Sequence, residues 1–173
     1  MAIDPGRPKA DEYADYYGRY IGRVPEAPVL ETLERQIAGT MELLRAVPEE
    51  RGGHRYAPGK WSMKEVLGHV TDAERIFATR ALCFARGEAQ PLPGMEQDEY
   101  VAAAGFDRRP LAGILDELEA VRRASLALFA GLGPDDWMRR GVASGCTFTV
   151  RAMPWILAGH ERHHVDVLRE RYL

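Results

Sequence analysis

Apolar side chains recur every three or four residues along four stretches of this chain, the spacing at which residues share one face of an α-helix. The pattern predicts helices over about residues 27–47, 62–87, 107–130 and 149–173. Each helix carries a single apolar face, and no segment has a convincing strand pattern. Helices of this kind bury their apolar faces against one another, so we expect an all-α fold, a four-helix bundle formed by one domain over residues 1–173.

Residues at the predicted helix ends support these bounds. Ser62 and Glu65 form the Ser-x-x-Glu capping box that opens many helices. Asp107 and Thr149 are suitable N-caps for the third and fourth helices, because their side-chain oxygens accept backbone N–H groups. Pro154 then falls at the fifth position of the last helix, where its ring clashes with the preceding turn. We therefore expect a bent first turn or a later start.

Three further segments precede or connect the helices. Residues 1–26 are rich in tyrosine and predict an arm packed on the bundle, because each ring offers a large area to bury. Residues 88–106 are rich in proline and glycine and are longer than a typical bundle connection, which predicts a long crossover with a short helix over residues 97–104. Residues 135–148 are expected to form a loop.

The composition limits the classes of function. The formal net charge is −3 and the pI is near 6.0, so the chain lacks the positive charge that binds nucleic acid or anionic membranes. No apolar run approaches the roughly 20 residues of a membrane span. The N-terminal residues do not resemble an export signal and the two cysteines are far apart, which favours a reducing cytoplasm. A cytoplasmic enzyme or small-molecule binder is expected.

Two histidines occupy the centre of the apolar stripe in the last predicted helix. His160 and His164 are four residues apart, which places their Cβ atoms about 5–6 Å apart on one helix face. This is the spacing of HExxH metal sites, with Glu161 in the glutamate position. His69 lies beside the stripe of the second helix and is a natural third ligand. Three neutral imidazoles leave a coordination position open for water or substrate, as in catalytic metal sites.

Other interpretations of these residues stay open at this stage. A histidine that faces the core is often an ordinary polar group hydrogen-bonded within the protein, and His163 replaces His164 in the stripe if the helix is rotated. Glu161 is a candidate general base, or a hydrogen-bond partner for a ligand imidazole. Arg80, on nearly the same helix face as His69, is a candidate contact for an anionic substrate.

Two segments of the chain resemble the DinB/YfiT-like superfamily: YAPGKWSMKEVLGHVTDAER, which contains His69, and VRAMPWILAGHERHH, which contains His160 and His164. The segment DYYGRYIGRVP is similar to the YfiT-type branch. The resemblance covers nearly the whole chain and implies a four-helix bundle, often dimeric, in which three histidines hold a divalent metal. In this sequence those ligands are His69, His160 and His164. Pro154 departs from the family pattern, since a small or aliphatic residue is more usual there.

The resemblance implies a metal-dependent enzyme without fixing its reaction. The leading hypothesis is a thiol S-transferase, in which the metal on the three histidines holds a low-molecular-weight thiol as thiolate for attack on an electrophilic small molecule. The alternatives are a hydrolase that uses metal-activated water and a metal-binding helical module without catalysis. Imidazole ligands suit zinc or nickel, among other ions. A homodimer with a small-molecule substrate, and without nucleic-acid or membrane partners, is expected.

Overall fold

A computed structural model describes residues 4–173 of the chain, and helices dominate it. The helices are α1 (Gly18–Ile21), α2 (Val29–Arg45), α3 (Met63–Ala85), α4 (Gln97–Ala104), α5 (Leu111–Ala130), α6 (Pro134–Met138) and α7 (Ala152–Arg171). Two short strands, β1 (Arg140–Ala143) and β2 (Cys146–Thr149), pair as an antiparallel hairpin. The four longest helices form a bundle, which confirms the predicted fold class. Within the described residues, none of the helices combines the length and apolarity needed to cross a membrane.

The order of the helices in the bundle differs from their order in the chain. Helix α3 packs mainly against α5 and α7, and α2 packs against the same two helices, so α2 and α3 are diagonal to each other. The predicted crossover is confirmed, because residues 86–110 join α3 to α5 and carry α4 against α3. The bounds of α4 agree with the short helix predicted for this segment.

The bundle interior contains two apolar clusters with a polar layer between them. The cluster beside the N-terminal arm and the hairpin includes Leu33, Phe84, Phe129 and Trp155. The second cluster, toward the opposite end, includes Met41, Leu67, Leu118 and Leu168. Between the clusters, the four long helices contribute polar side chains that we name the polar belt: Thr40, His69, Glu74, Arg122, His160, Glu161 and His164. The histidines predicted as ligands therefore lie at mid-height in the bundle.

The prediction of a loop before the last helix is wrong, because that segment forms α6 and the hairpin. Ser144 and Gly145 have φ angles of 52° and 72°, and two successive residues with positive φ form the tightest hairpin turn. The hairpin packs closely on α3, since a Cβ added at Gly141 would lie 1.9 Å from the Phe84 ring. Leu92 of the crossover forms a bridge to β1, so the hairpin also fixes the beginning of the crossover.

Two predicted N-caps are also wrong. Thr149 ends β2 and lies before α7, and Asp107 belongs to a short 3-10 turn before α5. Helix α7 begins at Ala152, which places Pro154 in the first turn. The missing N–H of a proline costs no intrahelical hydrogen bond in that turn. The later helix start, one of the two outcomes expected for this proline, is confirmed.

The N-terminal arm packs on the bundle, as its tyrosines predict. Tyr20 and Ile21 in α1 are buried where α1 contacts α7. Glu12 anchors the arm to the start of α7: its carboxylate accepts hydrogen bonds from Arg151 at 2.6 Å and Thr149 at 2.8 Å. Glu12 is only 2% exposed, so this anchor is part of the folded core.

Candidate metal centre

Three imidazoles meet in the polar belt. His69 comes from α3, and His160 and His164 come from successive turns of α7, which packs against α3. The Nε2 atom of His160 lies 3.1 Å from that of His69 and 3.2 Å from that of His164. The ligand atoms of all three residues lie within 4.8 Å of one another. The fold thus brings together the three histidines that the sequence predicts as ligands.

Two of the three separations between these nitrogens fit a single metal ion. Zinc–nitrogen bonds of about 2.0–2.1 Å at tetrahedral angles place ligand nitrogens roughly 3.3 Å apart. The two separations of 3.1 and 3.2 Å are close to that value. Without an ion, His160 Nε2 faces two other nitrogens but has only one hydrogen or one lone pair to offer, so it cannot form a linear hydrogen bond with both. Three lone pairs directed at one cation satisfy all three groups.

Burial keeps the three imidazoles neutral at physiological pH. Desolvation lowers the pKa of His69 to about 4, and the negative charge of Asp98 opposes part of this shift. Desolvation lowers the pKa of His164 to about 3, and the repulsion that protonated His69, protonated His163 and Arg19 exert adds to this shift. Burial and the same kind of charge repulsion hold the pKa of His160 well below its ordinary value. A neutral imidazole carries the lone pair that metal binding requires.

Aromatic rings enclose the three histidines on two sides. The Trp61 ring, just before α3, has its centre 4.9 Å from that of His69, and the Tyr20 ring lies edge-on at 5.3 Å from His160. Helix α1 reaches this position because Gly159 has no side chain. A Cβ at Gly159 would lie 2.0 Å from the backbone carbonyl oxygen of Tyr20. The N-terminal arm therefore forms one wall of the site.

Glu161, the candidate general base, belongs to a buried ion-pair cluster. Its carboxylate accepts hydrogen bonds from Arg122 at 2.8 Å and from Thr40 at 2.6 Å. Arg122 is fully buried and also donates to both carboxylate oxygens of Glu74 at 2.7 Å. Hydrogen bonds to both oxygens hold the Glu161 carboxylate in one orientation. This arrangement suits Glu161 better to a positioning role, in which it fixes His160, than to the role of a proton acceptor.

Two cavities adjoin the histidines. The first, about 610 Å³ in volume, is lined by His69, His160 and three tyrosines of the arm. The second, about 490 Å³, is lined by His164 and the aromatic rings near the C-terminus. Helix α4 lies between them, because Gln97 and Asp98 line both cavities. Volumes of this size accommodate small molecules.

The other candidate residues lie outside the three-histidine set. Arg80 is 4% exposed, and its Nη2 atom donates to the hydroxyl of Ser144 at 3.0 Å and to the carbonyl of Pro93 at 2.9 Å. It forms no ion pair within residues 4–173. His163 lines the second cavity, with its ring centre 5.0 Å from that of His164. Of Arg80 and His163, only His163 lies directly beside the three histidines.

The fold and the site define a helical-bundle protein with a three-histidine centre. The family profile described as the DinB superfamily matches residues 32–168 of the chain. The chain therefore belongs to the DinB superfamily, which confirms the resemblance noted in the sequence. The comparison with curated protein sequences gives no match.

Solved structures share the fold at low sequence identity. YfiT from Bacillus subtilis, described as a probable metal-dependent hydrolase with an unusual four-helix bundle topology, has a TM-score of 0.70 and 14% identity over 97% of this chain and 98% of that chain. The mycothiol-dependent maleylpyruvate isomerase has a TM-score of 0.69 and 16% identity over 84% of this chain and 62% of that chain. A mutant of this isomerase gives a TM-score of 0.68. At these identities the likeness shows a common fold.

Three residues near the histidines were not singled out by the sequence pattern. Arg122 follows Leu118 by four residues on the apolar stripe of α5, and a charge at that position was the available signal of a buried ion pair. Tyr20 was expected to be buried, but nothing in the sequence indicated that it contacts His160. Asp98 lies in the crossover, whose path over the bundle leaves no periodic trace in the sequence.

Proposed function

We propose that this chain is a divalent-metal-dependent enzyme of the thiol S-transferase type. The observation that carries the proposal is the convergence of three neutral imidazole nitrogens, two of which belong to His69 and His160 in the wall of a cavity of about 610 Å³. His69, His160 and His164 are the proposed ligands, and zinc or nickel is the proposed ion because both accept imidazole ligands. Such an ion lowers the pKa of a thiol or water molecule that reaches it.

The protein's own side chains prepare this site. Tyr20 and Trp61 exclude water from two sides of the histidines, which strengthens electrostatic interactions there. Arg122 holds Glu161, and we propose that this contact fixes the turn of α7 that presents His160. Glu161 thus has a positioning role in the proposed mechanism.

Arg80 is the proposed contact for an anionic group of the substrate. Its guanidinium is buried without a carboxylate partner among the described residues, and a buried cation is stabilised by an anion. Ser144, which accepts a hydrogen bond from Arg80, lines the larger cavity together with Phe77, whose ring centre lies 5.3 Å from the Arg80 guanidinium carbon. An anionic group in this part of the cavity is therefore close to Arg80.

Two observations support a thiol as the nucleophile. The larger cavity has room for a low-molecular-weight thiol beside an electrophilic substrate. The fold is also shared with an isomerase that depends on the thiol mycothiol. The cytoplasmic location and the homodimer expected from the sequence stay predictions.

Hydrolysis is the second candidate function. It is favoured by the similarity to YfiT, a probable metal-dependent hydrolase, over 97% of this chain. The same three histidines would serve this reaction, with water in place of the thiol. The two functions differ in whether turnover requires a thiol.

Product analysis separates these candidates. Zinc-loaded and nickel-loaded protein is incubated with cysteine and a chlorinated aromatic electrophile, and products are identified by mass spectrometry. We expect a thioether with the wild type and none above background with His160→Ala. A hydrolysis product that forms equally without cysteine contradicts the transferase and supports the hydrolase. Metal uptake without turnover of any electrophile supports the non-catalytic module.

A further inference from the structure

The crossover between α3 and α5 is held in place on both sides of α4. Before α4, the backbone N–H of Leu92 donates to the carbonyl of Val142 in the hairpin at 2.9 Å. After α4, the Phe106 ring packs on Gly68, where an added Cβ would lie 2.4 Å from the ring. Gly68 precedes His69, so the second attachment is next to a proposed ligand. Helix α4 therefore has a defined position beside the three histidines.

Asp98, the second residue of α4, lies where the two cavities meet. It is the charged residue that lines both the cavity containing His69 and His160 and the cavity containing His164. Its carboxylate is outside the set of ligand atoms that lie within 4.8 Å of one another, so Asp98 borders the cavities without belonging to the three-histidine set. Its charge also acts on His69. Within residues 4–173, the carboxylate has neither a hydrogen bond nor an ion pair.

Of the carboxylates that line the cavity of His69 and His160, only Asp98 also lines the cavity of His164. The two buried carboxylates in the polar belt are less suited to receive a proton. Glu161 and Glu74 are each about 1% exposed, and both are bound to Arg122. A proton accepted by either would break that buried ion pair and would have no direct route to solvent. Asp98 is exposed to solvent, so it can pass a proton to water.

On the basis of the proposed function, we propose that Asp98 is the catalytic base for the incoming thiol. The S–H bond breaks, its electron pair stays on sulfur, and the proton moves to a carboxylate oxygen of Asp98. The thiolate sulfur then forms the bond to the electrophilic carbon, and the leaving group departs with its bonding electron pair. Asp98 returns the proton to solvent, so no oxidant or reductant is required.

The test measures thiolate formation before any turnover. Cobalt-substituted protein is mixed with 2-mercaptoethanol in a stopped-flow instrument, and the thiolate-to-cobalt absorbance band is followed without an electrophile. Asp98→Asn removes the base and is expected to slow the appearance of the band by about 100-fold or more. Added formate, a small external base, should restore part of the rate.

The matched control is Glu88→Gln, which removes the same charge from the crossover at a residue that lines neither cavity. Its rate and cobalt content should equal those of the wild type. Equal rates for the wild type and Asp98→Asn overturn the role of Asp98 and leave the proposed function standing. Loss of cobalt from Asp98→Asn alone identifies Asp98 as a ligand and also overturns the role as base. If the wild type takes up no cobalt or shows no thiolate band, both proposals fail.

Discussion

Arg122 donates a 2.8 Å hydrogen bond to Glu161, the residue that follows His160, and both side chains are almost completely buried. The same guanidinium binds Glu74 through two N–H groups. One cation therefore lies between two carboxylates in the layer of the core that presents the three histidines. Each carboxylate depends on Arg122 for its compensating charge, so removal of this residue leaves two buried charges unpaired.

Replacement of Arg122 by methionine is expected to destabilise the fold severely. The two carboxylates stay buried without their cation, and removal of one partner from a buried ion pair costs about 3–5 kcal/mol. Urea unfolding measures the change in the free energy of unfolding. The matched control is Arg123→Met, whose side chain is 69% exposed and whose loss should change stability by about 0.5 kcal/mol or less. Equal effects of the two substitutions would show that the buried cluster contributes little.

Metal binding is expected to depend on His160 and not on His163. His160 Nε2 is within 3.2 Å of both other ligand nitrogens, whereas His163 lies outside that set. Elemental analysis after dialysis against zinc or nickel should give about one ion per chain for the wild type and for His163→Ala, and almost none for His160→Ala. Retention of the ion by His160→Ala, with loss from His163→Ala, would mean that the last helix presents a different pair of ligands.

The metal-free protein is expected to lose stability as the pH falls below about 6.5. Burial lowers the pKa of His69 to about 4 in the folded state, whereas the unfolded chain has the ordinary value near 6.5. Between these values the unfolded state binds a proton that the folded state does not, so acid favours unfolding. The contribution of His69 reaches about 3 kcal/mol at the acidic end of this window.

Urea unfolding in the presence of a chelator, at pH 7.5 and at pH 5, measures this effect. His69→Ala should show a weaker loss of stability across the same interval, because it lacks one of the suppressed protonation sites. Bound metal should also reduce the loss, since it stabilises the folded state selectively. Equal stability of the metal-free wild type at the two pH values would contradict the neutral, buried state assigned to the histidines.

Substitution of Gly159 by alanine is expected to displace the N-terminal arm. The new Cβ would lie 2.0 Å from the backbone oxygen of Tyr20, and backbone cannot move aside as a flexible side chain can. We expect a loss of about 1–3 kcal/mol in the free energy of unfolding, as for overpacked cores. Gly113→Ala is the control, because its Cβ would meet nothing within 4 Å and should stabilise α5 by about 0.4–1 kcal/mol. A neutral Gly159→Ala variant would mean that α1 adjusts freely.

Local signals in the sequence were sufficient to predict the long helices and the shared face of His160 and His164, whereas the choice of His69 as their neighbour rested on its residue type and on the family resemblance. The capping box at Ser62 starts α3 as expected, since Glu65 N–H donates to the Ser62 hydroxyl at 3.1 Å. The four-residue spacing of His160 and His164 places them on one face of α7, where His160 is buried and His164 is half-buried. Helical periodicity and caps are properties of neighbouring residues, so they can be identified without knowledge of the tertiary fold.

The sequence could not predict features that depend on distant contacts. The hairpin is stabilised by packing on Phe84 of α3, and its short strands give too weak an alternation to identify alone. Glu161 was considered as a base because its position beside His160 was visible, whereas its contact with Arg122, 39 residues earlier, was not. Asp98 lies beside the histidines because of the path that the crossover takes over the bundle, and the sequence does not reveal that path.

Tyr20, which forms a wall against His160, lies outside residues 32–168, the part of the chain that matches the superfamily profile. The three proposed ligands all lie inside that part. The groups proposed to hold the ion and one wall of the cavity proposed to bind the substrate thus occupy separate stretches of the polypeptide. If the proposed function holds, changes in the arm alone would alter which substrates fit this wall and would leave the proposed ligands in place.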